Sequence, residues 1–266
     1  MVGSMSVERV RGWLFMAAVT AASRGLQLRD RLQRVVDGLR RPRVSERFLL
    51  KSGGRRLDAV WVPGEAAKPA VLLCHGIGET VDHWRGVQAY LEEHGIGSLV
   101  FDYSGYGKSS GHVCAAFCDE DLVTAYAEVR RRVGDAAPVF MLGFSLGSGI
   151  AAHGAAALRP RPAGLVLCEA FTSFREAACA SGVPRWMWGM VPAIWDSVEA
   201  VRVSGLRTLV VHSDADELFP VEMGRQIAEA GGAEMVEVPG YGHSALYLRP
   251  EDGYWGPVVR WMLGRQ

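Results

Sequence analysis

The pentapeptide Gly143-Phe144-Ser145-Leu146-Gly147 places a serine between two glycines, at the junction of a predicted strand and a predicted helix. A serine on such a sharp turn projects its hydroxyl above the sheet, where it can attack a carbonyl carbon. The glycines matter because only small neighbours let the strand and the helix approach so closely. Backbone N–H groups at the start of the helix also favour developing negative charge. We therefore predict that Ser145 is the nucleophile of an acyl-transfer reaction, with the Leu146 N–H as one oxyanion donor.

A serine nucleophile needs a histidine as base and a carboxylate that orients the histidine. His243 lies in the glycine-rich segment 240–244, after the last predicted strand, from which it can hang over the sheet to meet Ser145. Two carboxylates, Asp214 and Asp216, follow the strand before it. The chain order serine, acid, histidine fits both of them. The residue types alone therefore leave the acid open.

Several motifs occur in the order, and near the spacing, of a known superfamily. They are His75-Gly76, Asp102-Tyr103-Ser104-Gly105-Tyr106-Gly107-Lys108-Ser109, Phe144-Ser145-Leu146-Gly147 and Asp214-Ala215-Asp216-Glu217-Leu218-Phe219-Pro220. With them, the chain from about residue 45 to about residue 265 resembles the α/β-hydrolase superfamily. More narrowly, it resembles the branch that holds monoacylglycerol-lipase-like and serine-peptidase-like hydrolases.

The resemblance implies roles for residues that spacing alone does not assign. It places the acid four residues before Pro220, which is Asp216, and leaves Asp214 to stabilise the turn. It also implies that the second oxyanion donor is the backbone N–H of Ile77, in the loop after the third strand. Glu169 remains a further candidate for the acid, because some members of the superfamily carry theirs after the preceding strand.

The elements that must position these residues alternate along residues 44–266. Short apolar runs alternate with helical segments, which is typical of βαβ units and a mostly parallel sheet. We expect an α/β-hydrolase fold, with helices on both faces of the central sheet and an antiparallel hairpin around Ser52-Gly53-Gly54 at one edge. Segment 174–204 breaks the alternation and is predicted to form a short helical cap. Aromatic residues in and beside it would line an acyl pocket or simply cover the sheet edge; they are Phe171, Phe174, Trp186, Trp188 and Trp195.

Residues 1–43 have a different character from the rest of the chain. Apolar residues recur there at helical spacing, and nine arginines against three acidic residues give this segment a net charge of +6. We predict an amphipathic helix or helix pair that packs on the hydrolase domain or on a second subunit. The alternative is that it lies on an anionic membrane surface. A cleaved signal peptide is a weaker alternative, because arginines resume directly after the apolar run 13–22.

Composition limits the function classes. The chain has 266 residues, of which 49% are hydrophobic and 22% charged, and fits one large globular α/β domain. Its formal net charge of 0 gives no indication of nucleic acid as a partner. The five cysteines lack zinc-site spacing, so we expect reduced thiols and a cytoplasmic protein, peripheral to the membrane if the first segment binds there. The sequence carries no metal cluster or cofactor fingerprint, and we expect neither a metal nor a cofactor.

These features together predict a serine hydrolase that cleaves a carboxylic ester or thioester of a small molecule through an acyl-enzyme on Ser145. The short cap favours a medium acyl chain in an open cleft, or an acylated peptide. An acyltransferase or a peptidase would use the same three residues. A non-catalytic binding protein of the same fold is less favoured, because such proteins usually lack one of the three, and Ser145, Asp216 and His243 are all present.

Overall fold

The structure is a computed structural model that describes residues 41–264. It is organised around an eight-stranded sheet with the strand order β1-β2-β4-β3-β5-β6-β7-β8. The pairs β1–β2 and β2–β4 are antiparallel, and the other five neighbouring pairs are parallel. The strands are β1 (Glu46–Ser52), β2 (Arg55–Val62), β3 (Ala70–Cys74), β4 (Gly97–Phe101), β5 (Val139–Phe144), β6 (Gly164–Cys168), β7 (Thr208–Ser213) and β8 (Glu234–Val238).

Helices connect the parallel strands. Those described are α1 (Arg85–Glu93), α2 (Ala115–Val133), α3 (Leu146–Ala155), α4 (Phe174–Ala180), α5 (Ser197–Ser204), α6 (Val221–Gly231), α7 (Ala245–Leu248) and α8 (Asp252–Met262). Two 3-10 turns, Val81–Trp84 and Arg185–Met190, complete the list. The predicted cap segment thus consists of α4, the second 3-10 turn and α5.

The central strands are buried on both faces, which explains their continuous apolar runs. Along β3, Leu72 packs into one hydrophobic core, whereas Val71 and Leu73 pack into a second core on the other face of the sheet. This alternation follows from the two-residue period of a strand. Residues of α2 to α6 pack in the first core, and residues of α1, α7 and α8 pack in the second. The predicted α/β-hydrolase fold with helices on both faces is confirmed.

The opening hairpin also agrees with the sequence prediction. Gly53 and Gly54 join β1 to β2 with φ values of 48° and 80°. Two successive residues with positive φ form the turn whose twist matches paired antiparallel strands, and glycine adopts it without steric cost. The hairpin therefore extends the parallel sheet at the β1 edge.

The predicted amphipathic extension lies almost entirely outside the described residues, which begin at Arg41. Where the description begins, the backbone N–H groups of Arg43 and Val44 donate to the Glu92 carboxylate at 2.8 and 3.3 Å, next to the end of α1. Across residues 41–264, the helices are all too short or too polar to cross a bilayer.

Candidate functional site

Ser145 occupies a strained turn between β5 and α3. Its φ of 50° and ψ of −119° lie in a region that residues with a side chain rarely adopt. The two flanking glycines are required by close contacts: a Cβ on Gly147 would lie 2.0 Å from the Cys74 carbonyl oxygen, and one on Gly143 would lie 2.3 Å from the Gly147 carbonyl oxygen. The Ser145 N–H donates to the carbonyl of Cys168 at 3.1 Å, which ties the turn to β6. The serine is therefore held at the carboxyl edge of the sheet by backbone geometry.

Ser145, His243 and Asp216 form one hydrogen-bonded chain. His243 Nε2 lies 3.0 Å from Ser145 Oγ, and His243 Nδ1 lies 2.8 Å from Asp216 Oδ2. The other carboxylate oxygen of Asp216 accepts the N–H groups of Leu218 and Phe219 at 2.7 and 2.9 Å. Because Asp216 Oδ2 accepts from Nδ1–H, the imidazole presents an unprotonated Nε2 to the serine hydroxyl. The structure thus brings together the three residues that the sequence nominated, with Asp216 rather than Asp214 against the histidine.

The histidine loop is fastened by the acidic turn that precedes α6. Asp214 accepts the Gly240 N–H at 2.7 Å, and Glu217 accepts the backbone N–H of His243 at 2.8 Å. Ser213 Oγ accepts the Tyr241 N–H at 3.0 Å. Sequence analysis anticipated a turn-stabilising role for Asp214 but did not identify Glu217. The only available signal was the polar run after β7, because such side chains readily bond to neighbouring backbone.

Aromatic rings enclose the imidazole of His243. The ring of Phe144 lies 5.0 Å from it, and Phe219 contacts it edge-on at 5.1 Å. His243 itself is only 7% exposed, and Ser145 is 3% exposed. Because water is largely excluded from this region, hydrogen bonds and charges act there more strongly than they would at the surface.

The loop after β3 is held by a buried glutamate. Glu79 Oε2 accepts the N–H of Gly76 and the indole N–H of Trp84, each at 2.8 Å. Gly76 must lack a side chain, since a Cβ there would lie 2.8 Å from the Glu79 carboxyl group. Ile77, the predicted oxyanion donor, follows directly in the chain, and the other predicted donor, Leu146, begins α3. Their role as donors stays a prediction, and Glu79 is a supporting residue that sequence analysis did not identify.

His75 braces the same loop. Its Nδ1 lies 2.8 Å from the carbonyl oxygen of Gly76, and its ring is fully buried against Tyr103 and Tyr106. The hydroxyl of Tyr103 donates to the His75 carbonyl at 3.1 Å. These contacts place His75 below the loop, within the protein core.

The two buried carboxyl groups near the base have opposite charge preferences. Burial alone would raise the pKa of Asp216, but its interactions with His212 and His243 hold it well below the usual range. Glu169 behaves in the opposite way: burial first, and then the neighbouring Asp216, raise its pKa to about 9. At neutral pH, Asp216 is therefore the ionised member of the pair.

The five predicted substrate-contacting aromatics divide into two groups. Phe171, Phe174 and Trp195 are buried in the core that covers α3, with the Phe174 and Trp195 rings edge-to-face at 5.3 Å. Trp186 is 82% exposed, and Trp188 is half-buried with the Arg185 guanidinium over its ring. The first group therefore packs against α3, where Phe171 and Trp195 lie beside Gly149. Contact of any of the five with a substrate stays a prediction.

Within residues 41–264, one group of three side chains places atoms that could bind a metal ion within 4.8 Å of one another. The three residues are Glu169, His212 and Asp216. However, His212 Nε2 lies 2.9 Å from the carbonyl oxygen of Phe219. A carbonyl oxygen only accepts, so Nε2 carries the hydrogen and has no lone pair to offer a metal. The group is therefore a hydrogen-bond network behind the histidine.

Comparison with known proteins agrees with the fold. A family model described as the alpha/beta hydrolase fold matches residues 69–181. The lysophosphatidylserine lipase ABHD12 of Danio rerio is 26% identical over an alignment of 226 residues, with 73% of this chain and 59% of the relative covered. The protein of the same name from Xenopus tropicalis is 28% identical over 216 residues, covering 69% and 55%. The chain therefore spans less than two thirds of the length of these relatives.

Solved structures give the same fold. An esterase of Pyrococcus furiosus superposes with a TM-score of 0.67 at 17% identity, covering 85% of this chain and 96% of that one. A thermostable carboxyl esterase of Bacillus coagulans gives a TM-score of 0.66 at 17% identity, covering 83% and 98%. At this level of identity the likeness shows the fold alone.

Proposed function

Since the chain belongs to the α/β-hydrolase superfamily, we propose that it is a serine hydrolase that cleaves a carboxylic ester or thioester. The observation that carries this proposal is the continuous hydrogen-bonded chain from Ser145 Oγ through His243 to Asp216, with contacts of 3.0 and 2.8 Å. A hydroxyl, a neutral imidazole and an oriented carboxylate in this sequence are the groups that acyl transfer to serine requires.

In the acylation step, His243 Nε2 takes the Ser145 hydroxyl proton while Oγ attacks the substrate carbonyl carbon. The carbonyl oxygen becomes an oxyanion, which the backbone N–H groups of Ile77 and Leu146 stabilise. Asp216 stabilises the imidazolium that forms. His243 then gives the proton to the leaving alcohol or thiol, and the bond from the acyl carbon to the leaving oxygen or sulfur breaks.

Deacylation repeats these movements with water as the nucleophile. His243 removes a proton from water, and the hydroxide oxygen attacks the ester carbon of the acyl-enzyme. Collapse of the second tetrahedral intermediate returns the proton to Ser145 Oγ and releases the carboxylic acid. The partly dry surroundings of His243 strengthen each of these charge interactions.

The first experiment is hydrolysis of p-nitrophenyl esters from acetyl to palmitoyl, with Ser145→Ala as the inactive variant. Loss of a serine nucleophile is expected to lower kcat by about six orders of magnitude. Ser181→Ala is the matched control, because Ser181 is an exposed residue at the end of α4 in the cap. Equal rates in the parent and the Ser145 variant, with no labelling of the parent by a fluorophosphonate, would overturn the proposal.

For the substrate class, we propose an ester of a single medium or long acyl chain. The relatives named lysophosphatidylserine lipase support this choice, as does the apolar cap segment with its exposed Trp186. The p-nitrophenyl ester series measures the preferred acyl-chain length directly. Lysophosphatidylserine can be assayed beside the series by release of free fatty acid. A rate that peaks at acetyl and falls with every added carbon would contradict an acyl-chain pocket.

We propose further that residues 1–43 attach the protein to a second copy of itself or to an anionic membrane, and that the protein is cytoplasmic. The net charge of +6 over that segment supports attachment, and the five cysteines, all of them free thiols, support a reducing compartment. Flotation with anionic vesicles tests attachment to a membrane, and sedimentation without vesicles tests attachment to a second copy. Replacing the nine arginines by glutamine should abolish flotation; a monomer that never floats would contradict both.

A further inference from the structure

Glu169 is a second buried carboxyl group behind Asp216, and the proposed chemistry gives it no step. It follows directly after β6, is 0% exposed, and has a φ of 45°. Its backbone N–H donates to the carbonyl of Val211 at 3.1 Å, which fixes the residue against β7. A left-handed conformation at a residue with a side chain costs energy and persists only where the surroundings enforce it. This conformation places the carboxyl group at the end of β7.

One carboxylate oxygen of Glu169 and one of Asp216 lie within 4.8 Å of each other, and the other contacts of the Glu169 carboxyl group show which of its oxygens is left for Asp216. The Ser213 N–H is shared between the two oxygens at 3.1 Å each, and Tyr254 donates its hydroxyl hydrogen to Oε1 at 2.9 Å. Oε2 faces His212 Nε2 at 3.4 Å, but the hydrogen on that nitrogen points to the Phe219 carbonyl. Oε2 is therefore the oxygen on which a hydrogen directed at Asp216 can reside.

Two negative charges in this position would lack compensation. Among the described residues, neither Glu169 nor Asp216 forms an ion pair with a lysine or arginine. The basic side chains that approach the two carboxyl groups are those of His212 and His243. Buried carboxylates this close cannot both be ionised at neutral pH, so one of them holds a proton. Asp216 already accepts three N–H groups, from Leu218, Phe219 and His243, which stabilise its anion.

We propose that Glu169 is a positioning residue that stays neutral and donates a hydrogen bond from Oε2 to Asp216, thereby holding the carboxylate in line with His243. This inference rests on the proposed function, because it assigns the group that orients the acid of the same site. Glu169 acts through Asp216 and touches neither the substrate nor Ser145. It carries no charge of its own into the site.

The other groups that face Glu169 are compatible with this assignment. Burial, and after it the neighbouring Asp216, raise the pKa of Glu169 to about 9. Burial likewise raises the pKa of Cys168 on β6 and of Tyr254 on α8, so both stay neutral across the working range. His212 directs its Nε2 hydrogen to the carbonyl oxygen of Phe219 at 2.9 Å and not to Glu169.

The kinetic test compares Glu169→Ala with Glu169→Gln. Glutamine can reproduce the neutral acid, since its oxygen can accept from Tyr254 and Ser213 while its NH2 donates to Asp216. Loss of a residue that orients a metal-binding side chain typically costs about 10–100-fold in activity, and we expect a similar factor for a residue that orients Asp216. We therefore expect Glu169→Ala to lower kcat by that factor with KM changed less than about twofold, and Glu169→Gln to restore kcat to within about threefold of the parent. The acid limb of kcat/KM should be unchanged in Glu169→Gln.

A second measurement needs no turnover, so it separates failure of this inference from failure of the proposed function. The folded-state pKa of Glu169, about 9, exceeds the ordinary value of 4.5, so folded protein keeps a proton that unfolded protein releases between these values. Its contribution to stability is therefore complete below pH 4.5 and is lost as pH rises towards 9. The melting temperature of Glu169→Gln relative to the parent should rise steadily from pH 5 to pH 9.

Three results would overturn the inference. A melting-temperature difference that is constant from pH 5 to pH 9 means that Glu169 is ionised in the folded protein. If Glu169→Gln has a kcat as low as that of Glu169→Ala, or a shifted acid limb of kcat/KM, the negative charge of Glu169 is required for activity. Full activity in Glu169→Ala means that it positions nothing. If Glu169→Ala fails to fold, the parent and Glu169→Gln still decide between a neutral and an ionised residue.

Discussion

Replacing Asp216 by asparagine should disable the site through the wrong imidazole tautomer while leaving the fold intact. One carboxylate oxygen of Asp216 accepts the N–H groups of Leu218 and Phe219, so the amide oxygen of the variant must take that position. The amide NH2 then faces His243 Nδ1, to which it can only donate. Nδ1 becomes the acceptor, the hydrogen moves to Nε2, and that nitrogen can no longer take the Ser145 proton. We expect kcat to fall by about four orders of magnitude, equivalent to about 5.4 kcal/mol in the transition state.

The assay is p-nitrophenyl ester hydrolysis at neutral pH, with circular dichroism to establish that the variant folds. Asp214→Asn is the matched control, because Asp214 lies two residues away and, within residues 41–264, its carboxylate accepts only the loop N–H of Gly240, which an amide oxygen can also accept. The control should keep kcat within about threefold of the parent. Asp216→Asn with more than a tenth of parental activity, or an equal loss in both variants, would refute the tautomer argument.

Two further perturbations test the packing around the site. Gly147→Ala would place a Cβ 2.0 Å from the Cys74 carbonyl oxygen and should abolish ester hydrolysis. Gly189→Ala is the control and should behave as the parent, because no atom lies within 4 Å of the Cβ position at residue 189. A normal kcat in Gly147→Ala would contradict the close-contact argument. Trp195→Ala should lower the free energy of unfolding in urea by about 3–5 kcal/mol, because the ring is 3% exposed. Trp186 is 82% exposed, so Trp186→Ala should change the free energy of unfolding by less than about 0.5 kcal/mol. A larger loss of stability in Trp186→Ala than in Trp195→Ala would show that the cap is packed differently.

The nucleophile was predictable because its signal is local. Strand, turn and helix are contiguous around Ser145, and the two glycines mark the close approach of β5 and α3 directly in the sequence. The parallel pairing of β5 to β8 was predictable for a similar reason, since alternation of strands and helices along the chain specifies a parallel sheet. His243 and Asp216 then follow from the ends of β8 and β7, although the choice against Asp214 needed the superfamily resemblance.

The supporting contacts were not predictable, because they join residues far apart in the chain with no periodic pattern. Glu217 reaches the N–H of His243 across 26 residues, and Tyr254 reaches Glu169 across 85 residues. Composition was equally uninformative in the cap, where Trp186 is exposed and Trp195 is buried within one short segment. Burial there depends on whether α3 offers a surface to cover, which the residue type does not reveal.

The sheet order explains why a second carboxyl group lies beside the acid. Strands β5, β6 and β7 are parallel neighbours, so the residues that follow them meet at one edge: Ser145, Glu169 and the turn that carries Asp216. Any carboxyl group after β6 is then forced towards one after β7. If both were ionised, the extra negative charge would favour the imidazolium form of His243 and remove the base from the reaction. A neutral Glu169 avoids this conflict and supplies a donor, so the crowding at this edge holds Asp216 in place while a single negative charge faces the base.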